Sequence, residues 1–393
     1  MGRSKKEDSV VDTDTKNDPI KNLMGSLLSG YKEDVYNHVI NERIPISAGS
    51  LTLDSLIKIK TGSVIRLAGP LESGKTSQLL LIMLNYLNTV PKSRGLYVKA
   101  EGRLSEEMQA RSGLKFVFSD RDWEIGTVFV LESNIFEAVS DIIYATLKNM
   151  YEKGERLVFA IDSLDGLILK SDMEKFSNCA DKLKPDNKAS GMMPAGVPKM
   201  TKMFFRRMAL AINKYDALAL LTSQYSETFK IAMYEKDKPQ PVQGSGGSAV
   251  SHQPDWILEY GIRYHGDYIM QDPNNKKPDP KTNKILGHEV KITLRKSTNE
   301  NTGLPIRIPI KYGRVGNSIW LERETIDLAL GFGLISKINQ KTLAFSAEIV
   351  VQAKESGIEL KENHNGFEAL YAYFEENKLP FEWLYKKIKD VIT

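Results

Sequence analysis

The chain has 393 residues, 54 Lys and Arg against 50 Asp and Glu for a formal charge of +4, and 41% hydrophobic residues. No apolar run approaches the roughly 20 residues of a membrane span, and the composition is that of a globular protein longer than the about 250 to 300 residues one core usually fills. The charge is too small to argue for nucleic acid by itself, and a lone Cys179 excludes an intrachain disulfide, as expected in a reducing compartment.

The opening MGRSKKEDSVVDTDTKNDP has neither a signal-peptide apolar region nor an Arg-rich amphipathic transit pattern, and reads as a disordered leader. Gly2 follows Met1, but Lys6 stands where a myristoylation pattern wants Ser or Thr. The apolar spacing from Leu23 to Asn41 predicts a helix or two, so residues 1–45 read as leader plus a helical arm. Next, the short apolar run Val64 to Ala68 feeds directly into GPLESGKTS, and TSQLLLIMLNYLNTV then has the length of a buried helix. Gly69, Gly74, Lys75 and Thr76 satisfy the phosphate-loop spacing, and strand, loop, helix is the context it requires. Pro70, Glu72 and Ser73 complete the loop and Ser77 follows it; its N–H groups and the helix N-terminus together make an anion site. In that role Lys75 reaches the β- and γ-phosphates of a nucleotide, and the Thr76 hydroxyl ligates Mg²⁺.

Three further apolar runs end in polar residues. GLYVKAEGRL leads to Glu101, Leu157 to Ile161 leads to Asp162, and DALALLTSQY leads to Ser223 and Gln224. Asp162 is the acidic partner that a nucleotide-bound Mg²⁺ needs. Runs of this kind, separated by long helical stretches, predict a mainly parallel sheet flanked by helices, with its ligands at the carboxyl edge.

Two long segments follow the third and fourth runs. The first leads into KMTKMFFRRMALAI, where Lys199, Lys202 and Arg206 fall at i, i+3 and i+7, with Arg207 next; Met203, Phe204 and Met208 are expected to face inward. The second, YSETFKIAMYEKDKPQPVQGSGGSA, interleaves Lys230, Lys236 and Lys238 with Phe229 and Tyr234 and carries Gly244, Gly246 and Gly247. Lysines neutralise phosphates and rings stack on bases without reading sequence, so this suits sequence-independent binding of single strands. HGDYIMQDPNNKKPDPKTNKILGH reads as a hairpin insertion, the scattered histidines 252, 265, 288 and 364 as surface or packing residues, and 336–393 as a small helical domain.

Taken in order, ISAGSLTLDSLI, GSVIRLAGPLESGKTS, YVKAEGRLSEEMQARSG, VFAIDSLDGL, LALLTSQYSETF and GSGGSAVSHQPDWILEYG resemble the RecA-family DNA recombinases, closest to the phage UvsX-type branch. The resemblance runs from about Ile46 to the C-terminus and implies a RecA-like P-loop ATPase core over 46–335. It implies that Glu101 orients the attacking water, that Asp162 is the Walker B aspartate, and that Gln224 senses the γ-phosphate. In KITLRKST it makes Arg295 and Lys296 candidates for contacting a neighbouring copy's phosphates, although Leu294 stands where one lysine is expected. Ser105 and Met108 replace an aspartate and an aromatic residue beside the base, which implies looser base preference. The expected activity is DNA-dependent hydrolysis of ATP with Mg²⁺ by a helical filament on single-stranded DNA. That filament would pair with homologous duplex DNA and exchange strands in recombination and repair, with single-strand-binding and loader proteins as further partners. It would need no membrane and would work in the cytoplasm, the host's if phage-encoded. The alternatives are a ring-forming helicase of the same superfamily and a non-catalytic recombination mediator.

Overall fold

The computed structural model describes residues 19–30, 42–101, 104–174, 196–224, 251–272, 275, 277–339 and 341–392. The chain divides into two units, Met1–Asn41 and Glu42–Thr393. In the first lies helix α1 (Pro19–Gly30); the rest of the expected arm helix, through Asn41, lies outside the described residues.

The second unit opens with α2 (Leu51–Leu56), β1 (Val64–Ala68), α3 (Lys75–Thr89) and β2 (Ser93–Lys99). It continues with α4 (Glu106–Ser112), β3 (Lys115–Val117), β4 (Thr127–Leu131), α5 (Phe136–Glu152) and β5 (Arg156–Asp162). After these come α6 (Gly196–Lys214), β6 (Leu218–Ser223), β7 (Trp256–Tyr260), β8 (Tyr268–Met270), β9 (Ile285–Lys296) and β10 (Pro305–Lys311). Among the described residues these strands form one sheet in the order β10-β9-β7-β1-β6-β5-β2-β4-β3, with β8 on the side of β9. From β7 to β3 every pairing is parallel; β9 joins β7, β10 and β8 antiparallel.

Both faces of the central parallel strands are covered, so β1, β5 and β6 are buried at nearly every position rather than alternating. Successive residues still point to opposite faces. Ile65, Leu67, Tyr97, Val158 and Leu220 pack with Leu79, Ile82, Met83 and Tyr86 of α3. Val64, Leu96, Phe159, Ile161 and Leu221 face Val139, Ile143 and Leu147 of α5 and Phe204, Phe205 and Met208 of α6. Each such side chain, fully buried, contributes about 1.5 to 3 kcal/mol. On α6 the inward set is therefore Phe204, Phe205 and Met208, and Met203 is exposed, contrary to expectation. Two adjacent phenylalanines take up the buried arc and turn Met203 toward solvent.

The chain closes with α7 (Leu321–Gly331), β11 (Ile335–Lys337), β12 (Thr342–Phe345), α8 (Ala347–Glu355), β13 (Asn363–Asn365), α9 (Gly366–Glu376) and α10 (Lys378–Ile392). The expected helical end thus carries a three-stranded antiparallel sheet as well, β11-β12-β13. Its core of Leu343, Phe345, Leu370, Phe374, Leu384 and Ile388 also takes in Leu51, Ile326 and Ala329. Glu324 of α7 is buried and accepts hydrogen bonds from Ser50 Oγ and from the Leu51 and Thr52 N–H groups, placing a carboxylate at the start of α2. No helix among the described residues is long and apolar enough to cross a membrane.

Candidate active site

The cradle begins where β1 ends. Gly69 has φ +150, and a Cβ there would lie 2.6 Å from the Tyr260 carbonyl oxygen, so close approach to β7 demands glycine. Gly74, at φ +95, caps α3 in the left-handed region. Glu72 holds φ 56 without being glycine, which costs about 1 kcal/mol or more. Ser73 Oγ donates to the Pro70 carbonyl at 2.8 Å, and Arg263 Nη2 donates to the Glu72 carbonyl at 2.9 Å. The Lys75 ammonium donates to the carbonyls of Gly69 at 2.9 Å and Pro70 at 2.5 Å, so the cation already lies along the loop. The first N–H groups of α3 have no acceptor within their own helix and are available to an anion.

Beside the cradle stands Asp162, the last residue of β5. Its Oδ2 accepts from Thr76 Oγ1 at 2.9 Å and from Tyr97 Oη at 2.7 Å, and its Oδ1 accepts from Thr222 Oγ1 at 2.5 Å. Burial, then the Asp162 charge and the hydrogen bond to it, push the Tyr97 phenol far above its ordinary value, so it remains a donor. A hydroxyl and a carboxylate oxygen side by side suit a hard cation. Among the described residues no group of three or more His, Cys, Asp or Glu could hold a metal by itself. Mg²⁺ does not require one, because it takes one or two carboxylates and completes its shell with water and substrate phosphates.

Glu101 follows β2 and lies against Gly166, where a Cβ would come within 2.7 Å of Glu101 Cγ. It accepts from Ser163 Oγ and, at 3.1 and 3.3 Å, from the side-chain amide of Gln224. The Gln224 backbone N–H donates to Asp165 Oδ2 at 2.6 Å. Behind them, buried Arg66 of β1 donates through Nε to Ser223 Oγ at 2.8 Å.

These groups share one cavity of about 650 Å³, lined by Glu72, Ser73, Gly74, Lys75, Thr76, Ser77, Glu101, Asp162 and Gln224. Gly69 and Pro70 contribute through the carbonyls that hold Lys75. The rest of the lining includes residues of the antiparallel strands: His288, Val290 and Ile292 of β9, Ile308, Ile310 and Lys311 of β10, then Tyr312 and Arg314. Met108 also lines the cavity, whereas Ser105 is the N-cap of α4, accepting from the Met108 N–H at 3.2 Å. Tyr312 supplies the cavity with a ring at another point of its wall, packed 5.5 Å from the His288 ring. Burial, followed by the Arg263 charge, pushes His288 down to about 4, so its imidazole is neutral at pH 7. Lys311 and Arg314 both pair with Glu375 of α9, which also accepts from the Trp320 indole at 2.9 Å.

Arg295 and Lys296 are not cavity-lining residues of this chain. Arg295 pairs with Glu259, and Lys296 donates to the carbonyls of His252 and Pro254 at 2.5 and 2.6 Å. On α6, Lys202 and Arg206 are exposed; Arg207 pairs with Asp141 at 2.5 Å and sits 5.0 Å from the Tyr144 ring centre. Lys199 lies in the first turn of the same helix. Phe229, Lys230, Tyr234, Gly246 and Gly247 lie outside the described residues, as does Cys179.

Sequence reading missed Tyr97, Thr222, Ser163, Asp165, Arg263, Tyr312 and the Glu375 cluster. Tyr97 and Thr222 sit within apolar strands, where nothing marks a hydroxyl as meeting a carboxylate. The chain matches no protein-family model and has no significant match among curated proteins.

Proposed function

We propose that this chain is an ATP-dependent DNA recombinase with a RecA-like P-loop core, forming a filament on single-stranded DNA and promoting homologous pairing and strand exchange. One observation carries the reading. Groups from the ends of β1, β2, β5 and β6 line a single cavity: an ammonium in a glycine loop, a hydroxyl–carboxylate pair, a carboxylate beyond that pair, and an amide bonded to it. This set matches hydrolysis of a nucleoside triphosphate, whose catalysis is mainly positioning and charge neutralisation.

In this reading the loop amides and Lys75 hold the β- and γ-phosphates. Mg²⁺, held by Thr76 and Asp162, supplies charge neutralisation on the phosphate oxygens. Glu101 orients a water and accepts its proton as the water oxygen bonds to the γ-phosphorus. The bond to the β-phosphate oxygen breaks, giving ADP and phosphate. Gln224, within reach of Glu101, reports whether a terminal phosphate is present. Lys202 and Arg206, exposed on α6 with Lys199 on the same helix, serve the DNA backbone, together with the lysine- and aromatic-bearing segment after Gln224. Arg295 and Lys296 serve a neighbouring copy's phosphates. The cellular setting is the cytoplasm.

Two measurements test the reading together. Lys75→Ala should lower ATP hydrolysis at least 100-fold, and wild-type turnover in that variant would remove the site. Electron microscopy with single-stranded DNA and a non-hydrolysable ATP analogue should show helical filaments; closed rings would favour a helicase, and no assembly a mediator.

A further inference from the structure

Asp165 has no part in the chemistry above, yet it is tied to it. It lies on the short turn Leu164–Gly166, directly after β5, and is half-buried. Its Oδ2 takes the Gln224 backbone N–H at 2.6 Å, while the Gln224 side-chain amide lies at 3.1 and 3.3 Å from the two oxygens of Glu101. Gln224 is thus gripped twice, by its main chain and by its side chain, from two different carboxylates. With Ser163 Oγ also donating to Oε1, three of the roughly four lone-pair sites of the Glu101 carboxylate are taken by the protein.

A carboxylate is an expensive way to satisfy one backbone N–H. Burial pushes Asp165 up and the nearby Glu101 charge adds to that, while the Gln224 N–H and the Arg66 and Lys75 charges oppose it. A neutral acceptor would satisfy the N–H without that cost. What the charge adds is strength, because a hydrogen bond to an ionised acceptor is roughly twice as strong as a neutral one.

We propose that Asp165 is a positioning residue: it fixes the Gln224 backbone so that the amide stays on Glu101, withholding Glu101 from water until DNA and a terminal phosphate together draw the amide away. Hydrolysis in the absence of DNA is thereby held down. This rests on the proposed function, and the experiment separates the two.

ATP hydrolysis is measured with and without single-stranded DNA for wild type, Asp165→Asn and Asp165→Ala, alongside the affinity for a fluorescent ATP analogue and the melting temperature. Losing a hydrogen bond to a charged acceptor should raise the DNA-independent rate about tenfold in Asp165→Ala. Asp165→Asn, which keeps a neutral acceptor, should fall between it and wild type. The stimulation by DNA should shrink in the same order, with analogue affinity unchanged. An unaltered stimulation ratio overturns the inference, and so does an equal fall of both rates with a lower melting temperature, which marks a structural role. Should Asp165→Ala not fold, Asp165→Asn decides alone by the same ratio. If wild type hydrolyses no ATP under either condition, the proposed function itself fails and takes this inference with it.

Discussion

The two walls of the cavity are built on different physics. The cradle wall is made where parallel strands end, so its polar groups come from the last residues of β2, β5 and β6 and the first of α3, held by short hydrogen bonds: Lys75 to the loop carbonyls, and Thr76, Tyr97 and Thr222 to Asp162. The other wall is made along the length of antiparallel strands and is lined by Val290, Ile292, Ile308 and Ile310 together with His288, Lys311 and Arg314. One wall fixes charge; the other fixes shape. Antiparallel strands can carry this second wall because their side chains stand in rows across the pairing, Ile310 opposite His288 and Ile308 opposite Val290.

The cradle wall can be broken at its seam with β7. Gly69→Ala should have the largest effect, because a Cβ 2.6 Å from a backbone oxygen of Tyr260 cannot be relieved by turning a side chain. A loss of about 2 to 4 kcal/mol is expected from the denaturant midpoint. An unchanged midpoint would mean that the ends of β1 and β7 are not locked there.

A change confined to the charged wall sharpens the contrast. Tyr97→Phe removes one donor from Asp162 and little volume, so under the proposed function it should weaken Mg²⁺ affinity about tenfold with a small change in stability, as loss of an outer hydrogen bond does at a metal-binding carboxylate. Titrating Mg²⁺ into the nucleotide complex and following nucleotide binding reads this directly. Equal Mg²⁺ midpoints for Tyr97→Phe and wild type would leave the phenol a packing group.

The effect confined to acid pH belongs to the shape wall. His288 is neutral when folded because its value lies near 4 against 6.5 unfolded. Below pH 6.5 the unfolded chain takes a proton that the folded chain refuses, so stability falls as pH drops from 6.5 to 4 and not above that window. In His288→Gln this share of the acid sensitivity should vanish, and denaturation series at pH 7.5, 6 and 5 compare the slopes. Identical slopes in the two proteins would mean that His288 takes up its proton in the fold.

The same contrast explains what was legible in the sequence. Val64 to Ala68, the glycine loop and α3 could be read because strand, turn and helix signals are contiguous there, and β1 has the bounds expected. Asp162, Glu101 and Gln224 were found because each ends an apolar run. The shape wall was not legible: His288 and Tyr312 are 24 residues apart, and only the turn from β9 into β10 brings their rings together. The strands β3, β4 and β11 to β13 are three to five residues long, too short for periodicity to register. Asp165 carries no such mark, because it reads as a polar interruption in IDSLDGL and its significance depends on a backbone N–H 59 positions away.

β1 is flanked on both sides, by β6 and β7, near the middle of a wide sheet. Its amide protons should therefore be among the last in the molecule to swap with deuterium, since opening them requires both neighbours to separate. The glycine loop hangs from that strand, so on warming the floor beneath it should outlast the surrounding elements.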